Sequence, residues 1–574
     1  MSILNKLTEG IVRRDLSKEG HALLTKWEKT GLLEGLADER TKHGMASLLE
    51  NQAKELLRES SAMSSGDVEG FASVAFPIVR RVFGGLIAND LVSVQPMSLP
   101  SGLIFFLDFT LDRARLGSAA GDSVYGGGVV GAQITGGVSL QGTASERSFY
   151  ALNNGYSSPT GSTANAGLAT IYTYATGTVG GDGSDWGILG STQPIDINKA
   201  VRFDPDIASG TFVVIAGQSQ AQLGQLNVKD LVAVTLMTGS GPTNPQAQTQ
   251  VRRLTSIVEL TPGSPDLHFV LADPIPGLAG AVCLGDLGAV STTTYPIDDN
   301  FNNAELGAVV GAPNWGLEGS VQIPEIDIKV DSVSITAKTK KLKAKWTPEL
   351  AQDLNAYHNL DAEVELTSIL SEHIALEIDQ EILEDLVKGA TASTLYWSRL
   401  PGKFLDRETG VALDPTTTGF PDFTGNVSEW YETLVETIND VSAQIHRKTL
   451  RGGANFIVVS PEVANLLEFT AGFRGAVTHD DDRGQVGAVR VGNLSKKFDV
   501  YVDPYFPRNV VLCGRKGSSF LESGYVYAPY VPLQMTPTIF GTEDFVPRKG
   551  VMTRYAKKMV RPDMYGLVVV EDLV

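Results

Sequence analysis

Residues 338–378 read KTKKLKAKWTPELAQDLNAYHNLDAEVELTSILSEHIALEI. The opening run alternates lysine with small or apolar residues. In an extended strand successive side chains take opposite faces, so Lys341, Lys343 and Lys345 share one face and Lys338 and Lys340 the other. Thr347 then stands where an N-cap hydroxyl is needed, with Pro348 in the first turn of a helix. That helix breaks near His358 and Asn359, and Asp361 caps the next one. Leu366, Leu370, Ile374, Ile378, Ile382 and Leu386 step by four, which draws one apolar stripe along a single long helix. Gly389 is placed to end it in a left-handed conformation. About 27 residues at a rise of about 1.5 Å predict a rod of roughly 40 Å.

The strand before it, residues 322–346, alternates Ile326, Ile328, Val330, Val333 and Ile335 with polar residues, the pattern of a half-buried antiparallel strand. Residues 1–60 carry Leu23, Leu24 and Trp27, then Leu48, Leu49, Ala53, Leu56 and Leu57, at helical spacing, with Gly31, Gly35 and Gly44 as punctuation. Two or three amphipathic helices are predicted there. Residues 60–70 are small and polar, the composition of a linker. Leu103 to Phe109 reads as a strand. Between 141 and 320 there are 6 Lys and Arg against 15 Asp and Glu. Within that acidic stretch the runs at 211–215, 231–237, 254–260 and 267–271 are short, apolar and turn-bounded, as in a small sandwich or barrel inserted as its own module. From 425 onward the pattern is mixed: helices at 430–445 and 461–469, the latter capped by Ser460, and strands at 455–460, 498–502, 510–513 and 525–528.

Length and composition exclude several function classes. The chain has 574 residues, 42% hydrophobic and 20% charged, enough for a large core and roughly two to four domains. No apolar run approaches the roughly 18 residues needed to cross a bilayer, so no membrane insertion is expected. Two cysteines, Cys283 and Cys513, form no disulfide framework and read as buried thiols. A net charge of −19 argues against an ordinary nucleic-acid binder. Gly514-Arg-Lys-Gly-Ser518 lacks the spacing of a phosphate loop and reads as a turn. Seven histidines are scattered without a metal pattern; His358 and His373 read as surface or inter-helix residues. Asp204 and Asp206 are the paired acids an enzyme such as a glycoside hydrolase would need, but nothing fixes their geometry. Asp480, Asp481 and Asp482 form an acidic loop, solvated or able to attract a divalent ion. Neither a catalytic residue, a cofactor nor a metal is predicted, and the chain is read as a non-enzyme.

Four separated blocks resemble the T4-like bacteriophage major capsid family. They are 78–97 (IVRRVFGGLIANDLVSVQPM) continuing into 100–105 (PSGLIF); 342–345 (LKAK) with 349–354 (ELAQDL) and 360–363 (LDAE); 451–460 (RGGANFIVVS); and 522–531 (ESGYVYAPYV) with 549–555. The resemblance implies an α+β chain of the HK97-like phage capsid fold. Residues 1–69 would be a helical propeptide-like segment and 70–114 the N-arm and the start of the E-loop. Residues 115–315 would hold the E-loop region with a β-rich insertion domain. Residues 316–424 would form the P-domain with its spine helix, 425–540 the A-domain, and 541–574 C-terminal P-domain strands. The N-terminal likeness rests on 23–27 (LLTKW), 32–35 (LLEG) and 50–54 (ENQAK).

The implied function is self-assembly into hexameric and also pentameric capsomers of an icosahedral head around packaged double-stranded DNA. The DNA is cargo, held without sequence-specific binding. Scaffold core, portal and maturation protease are the implied partners during assembly, with vertex and decoration proteins as further ones. The implied location is the virion capsid, assembled in the bacterial host cytoplasm. Maturation cleavage is placed after Glu69, in DVEG at 67–70, although Asp67 departs from the apolar residue the family prefers. Lys341, Lys343 and Lys345 are then either solvated and ion-paired or an inward face touching DNA or scaffold. Asp480, Asp481 and Asp482 would approach the capsomer axis. The alternative is an encapsulin-like compartment shell protein of the same fold.

Overall fold

The computed structural model describes residues 16–33, 39–60, 86–97, 99–114, 119–124, 137, 156–158, 160–164, 169–175, 202, 204, 212–219, 226–238, 250–261, 264–273, 290–297, 323–413, 423–449, 451–475, 489–517 and 524–573. The chain divides into two compact units, one made of Met1–Ile104 and Ser332–Val574, the other of Phe105–Asp331.

The first unit holds seven helices among its described residues: α1 (Leu16–Glu28), α2 (Glu39–Ser60), α3 (Ala88–Leu91), α4 (Pro348–His358), α5 (Ala362–Gly389), α6 (Val427–Thr449) and α7 (Pro461–Glu468). Its first sheet runs in the order β1 (Ser93–Val94), β18 (Tyr525–Met535), β20 (Pro547–Met559), β11 (Lys338–Lys345), with β19 (Ile539–Phe540) against β20. β18 carries Pro529 and Pro532, which have no N–H for a ladder, and its register with β20 shifts at both places. α1, α2 and α5 share one core with this sheet, in which Leu49, Ile378, Ile382 and Leu386 are wholly buried.

The second sheet runs β12 (Thr394–Ser398), β21 (Tyr565–Glu571), β17 (Val510–Gly514), β13 (Phe456–Val459), β16 (Phe498–Val502), β15 (Val489–Leu494), β14 (Phe473–Gly475). Buried residues of α6 and α7, among them Leu434, Ile438 and Leu467, pack on it in a separate core. The Ser460 hydroxyl accepts from the Val463 N–H as predicted. The two sheets interleave along the chain. Strand β18 lies in the first sheet although the elements before it belong to the second, while β21, the last strand, returns to the second. Cys513 is fully buried in β17, and burial pushes its thiol up to about 12, an inert core residue; Cys283 lies outside the described residues.

Long helix α5 has 28 residues, and the Asp361 side chain accepts from the Glu363 N–H at its start. Its end differs from the expectation. Gly389 is helical rather than left-handed; the chain leaves through Ala390 in an extended conformation. A Cβ on Gly389 would stand 2.5 Å from Met559 Cε, so the glycine there permits close approach of β20. The left-handed cap sits one helix earlier, at Asn359 (φ 54°), whose N–H donates to the Asn355 carbonyl while the Leu360 N–H donates to that of Leu354. Gly44, read as punctuation, lies inside α2 instead.

In the second unit, β4 (Ala169–Ala175), β5 (Phe212–Ser219), β8 (Ser264–Asp273) and β7 (Ser256–Thr261) form one antiparallel sheet, and β3 (Thr160–Ala164), β9 (Val290–Pro296) and β6 (Thr235–Thr238) another. All four apolar runs contain strands, but two begin differently from the pattern. Val228–Ala233 and Arg252–Leu254 are 3₁₀ turns, and the strand starts only after each. The buried Gln250 amide donates to the Val234 carbonyl between them, tying the two turns together. Apolar spacing alone does not separate a tight turn from a strand.

β2 (Ser101–Leu111) and β10 (Ile326–Thr336) pair as a two-stranded ribbon. The half-buried pattern expected of β10 holds at Ile335, which is buried, and fails at Ile326, Ile328 and Val330, which are 54%, 65% and 59% exposed. A two-stranded ribbon has no third layer to cover an apolar face.

Core packing of α5 should govern stability. Ile382→Ala is expected to cost about 2–5 kcal/mol, whereas Glu384→Ala on the exposed side should stay within about 0.5 kcal/mol. Denaturant titration of the two variants checks the difference.

Candidate functional site

The alternation of β11 divides its lysines as the sequence indicates. Lys341, Lys343 and Lys345 are exposed, while Lys340, Leu342 and Ala344 turn toward α5. Antiparallel register sets Lys340 beside Thr553, Leu342 beside Val551 and Lys343 beside Gly550 of β20. The neighbouring strands add Lys549, Tyr555 and Lys557 from β20 and Tyr525 from β18 to the site.

On α5, Glu377, Glu381 and Asp385 step by four, each one residue before the wholly buried Ile378, Ile382 and Leu386. They therefore line the margin of the apolar stripe, where a carboxylate reaches the sheet without entering the core. Lys340 Nζ lies 2.8 Å from Glu377 Oε1 and 2.9 Å from Glu381 Oε2. Lys557 Nζ lies 2.6 Å from Glu381 Oε1 and 2.7 Å from Asp385 Oδ2. The Tyr525 hydroxyl donates to Asp385 Oδ2 at 2.8 Å, and the Tyr555 hydroxyl donates to Glu381. Near the start of the helix, Lys549 Nζ and the Thr538 hydroxyl both donate to Glu363 Oε1, at 2.7 and 2.8 Å.

Both oxygens of Glu381 are thus occupied. Burial works against its charge, but the hydrogen bonds from Lys557, Tyr555 and Lys340 outweigh it and hold the carboxyl down to about 2. Burial also opposes the charge on Lys340, and the bonds to Glu377 and Glu381 prevail and raise it. Tyr525 and Tyr555 are pushed up by burial first and by their carboxylate partners second. All these protons are held in place. The cluster fastens a helix to a sheet; it offers neither a free nucleophile nor a base poised to take a proton.

The other sequence candidates fall elsewhere. Lys341, Lys343 and Lys345 have no acidic partner within ion-pair distance among the described residues. Asp204 is gripped by Arg253, whose Nε and Nη2 lie 2.6 and 2.9 Å from its two oxygens, so the enzyme reading loses one of its acids to an ion pair. His358 and His373 are exposed. Glu69, Asp206 and Asp480, Asp481 and Asp482 lie outside the described residues. The acid ladder of α5 escaped the sequence reading, which followed only the apolar stripe. Its signal was there in the spacing: acids at 377, 381 and 385 in step with that stripe.

The fastening has a pH signature. A carboxylate held below its ordinary 4.5 contributes stability that is complete above that value and is lost as pH falls toward about 2. Unfolding midpoints should therefore drop between pH 4.5 and 2. Glu381→Gln should be less stable at neutral pH and show a shallower acid limb, measured as denaturant midpoint against pH.

Comparison with known proteins bears on what such a scaffold belongs to. The family model "Major capsid protein Gp23" matches residues 68–200 and 286–572. The unmatched interval, 201–285, contains β5, β6, β7 and β8. The major capsid protein of Vibrio phage KVP40 is 29% identical over 286 residues, 49% of this chain and 51% of that protein. That of Enterobacteria phage T4 is 33% identical over 251 residues, 42% of this chain and 46% of that protein. The capsid vertex protein of T4 is 25% identical over 250 residues, 41% of this chain and 53% of that protein. The chain spans about half the length of the curated relatives it matches. Among solved structures, the mature capsid of bacteriophage PhiM1 aligns at 14% identity and TM-score 0.27, over 43% of this chain and 76% of that one. The family match covers most of the chain, in order and on both sides of the unmatched interval: the chain belongs to the Gp23 major capsid protein family.

Proposed function

We propose that this chain is a shell subunit of a tailed-bacteriophage head, with the HK97-like arrangement its sequence resembles. The observation that carries the reading is the family match over 68–200 and 286–572. In this reading β1, β18, β20 and β11 with α5 are the core of the P-domain, the second sheet with α6 and α7 is the A-domain, and the second unit is the E-loop region with its insertion. Copies join into six-membered capsomers, with five-membered ones at the vertices. The similarity to a capsid vertex protein supports a related chain as vertex partner. Scaffold core, portal and maturation protease act during assembly in the bacterial cytoplasm, and double-stranded DNA is enclosed without being read. The protein works by association, with no chemical turnover.

The exposed stripe of Ile326, Ile328 and Val330 supports association. A lone two-stranded ribbon is marginal in water, and an apolar face on it gains from an adjoining copy. Many such weak contacts reinforce one another in a lattice. Lys341, Lys343 and Lys345 would face inward, where a local positive strip on a −19 chain meets phosphate or scaffold. Asp480, Asp481 and Asp482 would surround the capsomer axis, and the maturation cut would follow Glu69.

Negative-stain images of the source particle test the reading: a tailed icosahedral head is expected, and a small empty cage would point to a compartment shell instead. Reversing Lys341, Lys343 and Lys345 to glutamate should lower the DNA content of otherwise normal heads. Heads with unchanged DNA would remove the inward-facing role. Mass spectrometry of head protein should find a chain beginning at Gly70; one beginning at Met1 would rule out the cut.

A further inference from the structure

Strand β11 ends the first sheet. Among the described residues it pairs with β20 alone, in one unbroken register from Lys338 to Lys345, and its other edge is open. Parity decides which groups point there. The Trp346 N–H donates to the Pro547 carbonyl, so Trp346 belongs to the hydrogen-bonded set of pairs. In an antiparallel ladder such pairs alternate with pairs that exchange no bond. Ala344, Leu342 and Lys340 therefore commit their backbone groups to β20, while Thr339, Lys341, Lys343 and Lys345 turn theirs outward. The Ala337 N–H, of the same parity, shows the direction: it donates to the Pro100 carbonyl and not to β20.

The four outward residues also carry their side chains on one face, and all four are exposed. Arg554 stands opposite Thr339 and Arg548 opposite Lys345, so cations continue across that face onto β20. Arg554 lies over the Tyr530 ring at 5.3 Å, and Arg548 is paired with Asp544. On the other face Leu342 and Ala344 stay half-buried at the margin of the core under α5.

An open edge of 8 regular residues, with neither a proline nor a bulge, invites a further strand. Its lysines decide which one. A second β11 laid antiparallel would set lysine against lysine, and like charges directly opposite destabilise a pair. A phosphate backbone could meet the ammonium groups, but it has no donor for the outward carbonyls.

We infer that the open edge of β11 takes up an extended acidic segment of a partner protein as an added antiparallel strand. Carboxylates at alternate positions lie over Lys341, Lys343 and Lys345, and small or apolar residues between them lie beside Leu342 and Ala344. Residues two apart in a strand repeat at about 6.6–6.8 Å, so the carboxylates and lysines stay in step. Main-chain bonds give affinity, and the alternation selects the partner. Phosphate competes for the ammonium groups only. The inference rests on the shell reading for the partner's place inside the head, and on strand pairing for everything else.

The test uses the full chain and a labelled peptide of about ten residues that alternates glutamate with valine or threonine, followed by fluorescence anisotropy. Binding is expected, weakened but not abolished by added salt. The same peptide N-methylated at its glutamates keeps every charge and loses the N–H groups that would face the lysines; it should bind roughly tenfold more weakly or worse. Lys343→Pro removes one outward N–H and no bond to β20, so the unfolding midpoint should hold while binding falls about tenfold. Lys343→Gln, which removes charge alone, should cost severalfold less. Equal binding of the methylated and unmethylated peptides would overturn the inference by reducing the edge to a charged patch. Failure of the peptide to bind would overturn it outright: a short DNA duplex bound in its place would name phosphate as the ligand, and self-association abolished by Lys343→Pro would name a second copy. Images of heads report on the shell reading separately, since the peptide assay needs no assembled particle.

Discussion

Glu381 meets two lysines and a tyrosine that come from two different strands, and each of them is held in place by the pairing of those strands. The carboxylate can satisfy all three only in one register of α5 over β11 and β20. A rotation of α5 that advances it by one residue would set Gln380 or Ile382 among lysines spaced for Glu381 and would turn Ile378 and Ile382 off their places in the core. Partly buried ion pairs of this kind add modest net stability, because desolvation offsets attraction. Their larger effect is to make wrong registers costly, since a lysine left under the helix without its acid is an uncompensated charge. The first sheet, helix α5 and the core between them therefore stand in a relation fixed by a few polar atoms.

Much of this was legible in the residues. The fourfold apolar step gave α5 to within a residue, Thr347 and Asp361 marked both helix starts, and the lysine alternation divided β11 correctly. What escaped was non-local. The partner of an acid on a helix lies some 175 residues away on β20, and spacing along one element carries no information about that. The terminal turn of α5 escaped for a related reason: glycine suits a left-handed cap and a close approach equally well, and only the position of Met559 decides between them. Ile326, Ile328 and Val330 show the converse limit. Alternation announces a face that seeks burial, but it does not say whether this chain or another supplies the cover.

The strands of the unmatched interval have their own logic. Strand β3, which precedes β4 and the unmatched interval, and β9, which follows it, pair directly with each other, Thr160 opposite Pro296 and Ala164 opposite Thr292. Chain that departs after one and returns to the other begins and ends in neighbouring positions. The entropic cost of enlarging such an excursion grows only slowly with its length. The strands within the interval nonetheless share ladders with its neighbours, β5 with β4 and β6 with β9.

Helix α5 is also a mechanical part. Its 28 residues make a rod of roughly 42 Å, and it is held at two places, by Glu363 near one end and Glu381 toward the other. Those points stand about 27 Å apart at a rise of 1.5 Å per residue. A bar pinned once can pivot; a bar pinned twice cannot, unless one pin is released. Were the Glu363 pin alone to open, a turn of about 5° about the other would carry the rod's start by only a few ångströms, yet the short helix α4, with no buried residue of its own, would travel with it.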